Sequence, residues 1–255
     1  MIEAQNLSVA YEKRLILRDI DLRFEANSVT ALVGPNGCGK STLLRTLASL
    51  HKPQSGQVLL QDRPLHGLKR KTIAQKIAYM AQSPQAPEGL SVRQLVEHGA
   101  FARRRFFKRQ DQEEVNDLLA ACGLSQFAER PFAEMSGGEQ QRAWIAMSLL
   151  QKASFLLLDE PTSSLDLGYQ INILRLVEKL RKIQKFGVIM VLHDINQASH
   201  FADRIVALKD GIVLSEGPPD HVISSELIHT LYGADVTILR HPTSAGVTCV
   251  PNYGS

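Results

Sequence analysis

Residues Gly34–Ser41 read Gly-Pro-Asn-Gly-Cys-Gly-Lys-Ser, a complete G-x-x-x-x-G-K-S loop set between an apolar strand and a helix-forming run. The strand is Val29-Thr30-Ala31-Leu32-Val33, and the helix starts near Lys40. Leu43, Leu44, Leu47 and Leu50 recur at spacings of three and four, which predicts one buried helical face. Glycines at 34, 37 and 39 let the backbone turn tightly and aim its N–H groups at phosphate oxygens. The positive end of the helix adds partial charge at the same spot. Lys40 is placed to reach terminal phosphates and the Ser41 hydroxyl to ligate magnesium, with Pro35, Asn36, Cys38 and Thr42 completing the nucleotide-facing set. A plain glycine-rich turn before a helix would not require Lys-Ser in the last two places. The pattern implies a nucleoside triphosphate ligand.

Other apolar runs extend the same architecture. Ile20, Leu22 and Phe24 alternate with Asp19, Asp21, Arg23 and Glu25, a half-buried strand. Val58-Leu59-Leu60 reads as a strand closed by a turn at Asp62-Arg63-Pro64. Beyond Met80, Pro84, Pro87 and Gly89 break the chain, and Ser91-Val92-Arg93-Gln94 offers a capping-box start to a mostly helical stretch reaching Leu150. Phe155–Leu158 and Val188–Leu192 read as buried strands, separated by an amphipathic helix marked by Ile173, Val177, Leu180 and Ile183. Apolar runs alternating with helices predict a mostly parallel sheet covered on both faces. The expected fold class is therefore α/β, with N-terminal antiparallel strands and an inserted helical subdomain. Residues 1–83 and 151–230 form the expected core, 84–150 the helical subdomain and 231–255 a C-terminal extension, all in one domain.

Composition narrows the setting. A net charge of +3 over 255 residues is too small to imply nucleic acid or anionic lipid. Cys38, Cys122 and Cys249 are odd in number and widely spaced, which suits reduced thiols in a cytosol. Cys38 sits inside the loop, where its thiol offers an alkylation probe under ATP protection. No apolar run is long enough to span a bilayer, and Met1-Ile2-Glu3-Ala4-Gln5 lacks the features of a secretory signal.

Two further motifs carry chemistry. Leu156-Leu157-Leu158-Asp159-Glu160-Pro161 ends a buried strand in two acids, Asp159 to hold magnesium and Glu160 to polarise water for attack on the γ-phosphate. Ahead of it stands Met135-Ser136-Gly137-Gly138-Glu139-Gln140-Gln141-Arg142, where Ser136 and the glycines open a helix whose N–H groups face a phosphate. This run resembles the Leu-Ser-Gly-Gly-Gln signature of ATP-binding-cassette ATPases, from which Met135 and Glu139 depart. Met for Leu conserves volume, whereas Glu139 adds an acid near a phosphate.

What that resemblance implies covers nearly the whole chain. The signature Ser136, Gly137, Gly138 and Glu139 would cover ATP on a second copy of the chain, so that two copies sandwich two nucleotides. Gln82 is similar to the glutamine that touches magnesium and water and senses the membrane subunit. Asp166, in Ser163-Ser164-Leu165-Asp166, matches the loop that crosses the dimer interface, and His193 the switch histidine at the γ-phosphate. Tyr11 stands where the family stacks a ring on adenine, with an ordinary hairpin tyrosine as the alternative.

A single cassette resembles the detached ATPase subunits of bacterial importers, peripheral on the cytoplasmic face of the inner membrane and served by a separate permease and, indirectly, a substrate-binding protein. The stretch His193-Asp194-Ile195-Asn196-Gln197-Ala198 resembles the branch energising uptake of ferric siderophores, haem and cobalamin, and the closing Leu231-Tyr232-Gly233 segment resembles its ferric-siderophore members, so ferric-siderophore uptake is the expected function, with haem or cobalamin uptake as an alternative. Exporter subunits for lipids or lipoproteins share the ATP motifs and stand as an alternative. So do nucleic-acid-associated cassettes, although these usually carry a second cassette or a coiled-coil insertion, and no nucleic acid is expected here. Phe101, Arg103-Arg104-Arg105, Phe106, Phe107 and Lys108-Arg109 form a basic-aromatic cluster that reads as a nucleic-acid patch, a contact for anionic headgroups or permease acids, or a solvated stretch of the helical subdomain.

Overall fold

The structure is a computed structural model describing residues 1–103, 109–163, 165–240 and 246–253. The chain divides into two compact units, Met1–Gly67 with Gly187–Ser255, and Leu68–Phe186.

The first unit opens with β1 (Ile2–Tyr11), β2 (Arg14–Phe24), β3 (Val29–Val33), α1 (Lys40–Leu47), β4 (Ser55–Leu60) and β5 (Arg63–Pro64). Alternation in β2 buries Ile20, Leu22 and Phe24, which lie opposite Leu7, Ala4 and Ile2 of β1. The sheet runs β2-β1-β4-β5, antiparallel throughout. Gln61 and Asp62 both take positive φ (51° and 62°), so the turn falls on them, and Arg63 and Pro64, expected in the turn, pair as β5 instead. In α1, Leu43, Leu44 and Leu47 are fully buried; the helix ends at Leu47, which leaves Leu50 62% exposed and off the predicted face.

The second unit contains α2 (Arg70–Ala74), β6 (Ile77–Met80), α3 (Val92–Glu97), α4 (Arg109–Ala121), α5 (Gly137–Leu150), β7 (Phe155–Leu158) and α6 (Leu167–Gln184). The predicted capping box forms at α3: the Gln94 N–H donates to Ser91 Oγ (3.2 Å) and the Ser91 N–H to Gln94 Oε1 (2.9 Å). Strands β6 and β7 are parallel, with Ile77 opposite Phe155 and Met80 opposite Leu158. On α6, Ile173, Val177 and Leu180 are buried while Ile183, near the C-terminal end, is exposed. Residues 104–108 of the basic-aromatic cluster lie outside the described residues. Of the rest, Phe101 is exposed and Arg103 is ion-paired with Glu114 at 2.7 Å.

The first unit closes with β8 (Gly187–Val191), α7 (Ile195–Phe201), β9 (Arg204–Lys209), β10 (Ile212–Gly217), α8 (Pro219–Val222), α9 (Ser225–Tyr232), β11 (Val236–Arg240) and β12 (Val247–Pro251). All five residues of β3 are buried between β8 and β9, to which it is parallel, and β10 pairs antiparallel with β9. This mixed, mostly parallel sheet beside the antiparallel one matches the α/β expectation. Strands β11 and β12 form a separate hairpin. Among the described residues, no helix is long and apolar enough to cross a membrane.

Candidate functional site

Strand β3 delivers the chain to Gly34, whose φ of 142° and close approach to β9 admit no side chain: a Cβ there would lie 2.0 Å from the Leu208 carbonyl oxygen. At Gly37 (φ 77°) a Cβ would meet nothing within 4 Å, so the loop bows around open space. Helix α1 starts after Gly39, an N-cap position with no side chain to cap it. Lys40 is only 5% exposed, and its Nζ donates to the carbonyls of Gly34 and Pro35, each at 2.8 Å. A buried ammonium at a helix N-terminus, beside loop backbone with open space next to it, fits a polyphosphate.

The thiols are shielded. Burial pushes the Cys38 thiol up, against the opposing pull of Lys40 at 3.9 Å. Burial likewise pushes Cys122 up to about 12, and burial with the Asp194 charge pushes Cys249 up to about 11. The alkylation probe expected at Cys38 therefore meets a buried, protonated thiol. A raised pKa keeps each sulfur protonated at pH 8, so iodoacetamide is expected to leave all three cysteines of the native chain unmodified while denatured chain takes three labels. Rapid labelling of native Cys122, read by mass spectrometry, would contradict this.

In the second unit, β7 leads directly into Asp159, which is fully buried; its N–H donates to the Met80 carbonyl (3.0 Å) and its Oδ2 accepts from the Tyr79 hydroxyl (3.1 Å). Glu160 takes a left-handed conformation, φ 52°, which costs free energy for a residue with a side chain. The turn is held by Ser163, whose N–H and Oγ both donate to the Glu160 carbonyl, at 3.2 and 3.0 Å. This bend aims the Glu160 side chain at Gln82, whose Nε2 donates to Glu160 Oε2 at 2.5 Å. The signature helix joins the same cluster, since Gln141 Nε2 donates to the Pro161 carbonyl at 2.6 Å.

Ser136 N-caps α5, and Glu139 folds back to accept its N–H at 2.9 Å, completing a capping box. That bond holds the Glu139 carboxyl below its usual range, so its charge is engaged at the helix start. Gly137 and Gly138 form the first turn of α5, and Asp166 stands at the N-cap of α6 with its side chain exposed.

The first unit carries the remaining candidates. His193 is exposed, two residues past β8, and Asp194 beside it N-caps α7 by accepting the N–H groups of Asn196 (2.7 Å) and Gln197 (3.1 Å). Tyr11 sits at the tip of the β1–β2 hairpin, half exposed, with its ring centroid 4.4 Å from that of His51. Thus the phosphate loop, His193 and Tyr11 belong to one unit, and Gln82, Asp159, Glu160, the signature residues and Asp166 to the other. Sequence reasoning missed Tyr232 of α9. Burial pushes its phenol up, while the Gly34 N–H held by its oxygen pulls the other way. Its only signal was the Leu-Tyr-Gly run.

Comparison with known proteins gives concordant results. The ABC transporter family matches residues 17–163. The petrobactin import ATP-binding protein FpuD of Bacillus anthracis is 39% identical over 254 residues, 98% of this chain and 93% of that protein. The ferric enterobactin transport ATP-binding protein FepC of Escherichia coli K12 is 35% identical, covering 98% of this chain and 93% of that one. Among solved structures, the dimeric post-hydrolysis state of the cassette MJ0796, bound to ADP and Pi, superposes with a TM-score of 0.77 at 29% identity, over 86% of this chain and 98% of that chain. With the loop, the acid pair and the signature helix in place, this chain belongs to the ABC transporter family, as an ATP-binding subunit that hydrolyses ATP.

Proposed function

We propose that this subunit energises uptake of ferric siderophores through a separate membrane-embedded permease, from the cytoplasmic face of the inner membrane, with a substrate-binding protein delivering the chelate. Two copies act together, the loop of one and the signature residues Ser136, Gly137, Gly138 and Glu139 of the other on each ATP. Asp166 serves the contact between the copies, and Tyr11 stacks on the adenine. Residues 1–83 and 151–230 supply the nucleotide-binding core, and 84–150 the helical part that carries the signature.

Hydrolysis is carried by the Gln82–Glu160 hydrogen bond, which fixes a carboxylate at the end of β7. Glu160 orients the attacking water and accepts its proton. Lys40 and the loop amides offset the charge that develops on the phosphate oxygens, and His193 donates to the terminal phosphate. Ser41, Asp159 and Gln82 would hold magnesium, since a hydroxyl, a carboxylate and an amide supply the oxygen donors that this hard cation takes. Magnesium, when bound, neutralises phosphate charge and fixes phosphate geometry.

Support for the substrate class is the alignment, across nearly the entire chain, with proteins named for petrobactin and ferric enterobactin transport. The test is reconstitution with the permease and binding protein in vesicles and a panel of chelates, with and without iron. ATP-dependent accumulation of at least one ferric chelate, and of none without iron, is expected. Uptake confined to haem or cobalamin would replace the substrate class, and lipid extrusion would replace import altogether.

A further inference from the structure

Four hydrogen bonds join helix α7 to strand β12, each between a helix side chain and the strand backbone. Asn196 Nδ2 donates to the Cys249 carbonyl at 3.1 Å, and the Cys249 N–H donates back to Asn196 Oδ1 at 2.7 Å. Ser199 Oγ donates to the Val247 carbonyl at 2.7 Å and accepts the Val247 N–H at 3.0 Å. Asn196 and Ser199 are i, i+3 neighbours on one helix face, and alternate residues of a strand turn the same way. Each side chain offers one donor and one acceptor, as the backbone of an adjacent strand would. An otherwise open edge of the hairpin is thereby satisfied by a helix. The fit is close: a Cβ on Gly246 would lie 2.9 Å from the Ser199 carbonyl oxygen.

The clamp adds to the packing of α7 on β3 and α8. The seven residues of this helix are too few to be stable alone, and Ala198 is its one fully buried apolar residue. The segment leading into α7 is His193-Asp194, and Asp194 caps the same turn that contains Asn196. The hairpin is itself anchored to α9, where Ser225 Oγ donates to the Val236 carbonyl at 3.0 Å and His229 Nδ1 lies 2.9 Å from Asp235 Oδ1. Helix α9 ends in Tyr232, against Gly34.

We propose that the C-terminal hairpin is a brace for hydrolysis, in which Asn196 and Ser199 are positioning residues that hold α7 and thereby set the place from which His193 acts. This rests on the role given to His193 above. The brace acts on turnover, since neither residue is assigned to the nucleotide.

The experiment is a kinetic cycle on the purified full-length chain with the double variant Asn196→Ala/Ser199→Ala, His193→Ala, and all three together. The double variant is expected to lower kcat about 10- to 100-fold, to leave the Kd for a non-hydrolysable ATP analogue within about twofold, and to speed amide exchange across 193–201. Added to His193→Ala, it is expected to cost nothing further, because the brace works through that side chain. Where the double variant fails to fold, Asn196→Asp keeps the acceptor for the Cys249 N–H and the Ser199 pair, and a several-fold fall in kcat at unchanged Kd is expected. A parental kcat in these variants, or a full additional loss on the His193→Ala background, overturns the brace alone. A His193→Ala chain that hydrolyses like the parent overturns the role of His193, and the brace falls with it.

Discussion

Replacing Glu160 by Gln is expected to cut ATP turnover by about 10²- to 10⁴-fold, the range a positioned general base contributes, while ATP affinity stays near that of the parent. Gln is isosteric with Glu and keeps an oxygen to accept the 2.5 Å bond from Gln82. The left-handed backbone at 160 (φ 52°) and the Ser163 bonds to its carbonyl do not depend on the carboxylate. What disappears is the basicity needed to take a proton from water, so the loss falls on kcat and not on binding. ATP that binds without being consumed should accumulate the paired form of the chain, visible as a shift to twice the mass in gel filtration with ATP. Normal turnover in this variant would remove Glu160 from its role and direct attention to another base.

Lys40→Ala is expected to weaken nucleotide binding by about 10²-fold or more, the loss seen when one partner of a buried charge pair is truncated. Lys40 is 95% shielded from solvent by the loop it stabilises, its Nζ bonded to the Gly34 and Pro35 carbonyls. The substitution removes the cation proposed above to meet the phosphates and its two bonds to the loop carbonyls. Because α1 rests on Leu43, Leu44 and Leu47, the fold should survive, with a melting midpoint within a few degrees of the parent. Equilibrium binding of a fluorescent ATP analogue separates the two effects. A Kd within threefold of the parent would show that the loop amides suffice without the ammonium.

Much of the site was legible because its motifs are contiguous. The loop, the Asp159-Glu160 pair and Ser136-Gly137-Gly138 each occupy a few consecutive residues whose chemistry is set by local order. The fold class was legible for a related reason, since β3, β7 and β8 are short, wholly buried strands and read as apolar runs, interrupted only by Thr30 in β3. Features that depend on distant partners were not. Nothing in the alternation of residues shows that Glu160 adopts φ 52°, because that bend is held by Ser163 and tied to Gln82. Glu139 reads as an acid near a phosphate and also closes its own helix cap on Ser136, a local feature that the Ser-x-x-Glu spacing signals. The clamp between α7 and β12 joins residues 48 and 53 positions apart through small polar side chains, and no periodicity encodes it. Leu50 shows the opposite error: its spacing was right, but the helix had already ended.

The position of β3 between β8 and β9 bears on how the protein is made. Both neighbours come from the closing part of the chain, Val29 pairing with Val188 and Val33 with Ala207. A ribosome therefore releases the strand that leads into Gly34 long before either flanking strand exists. Until then the four apolar residues of β3, with Thr30 among them, wait without a sheet, a stretch open to chaperones and to mispairing. The intervening 68–186 unit has its own paired strands, β6 and β7, made before β8 and β9. A nascent chain halted before residue 187 lacks both strands that flank β3, so the loop that follows Val33 gains its sheet only late in synthesis.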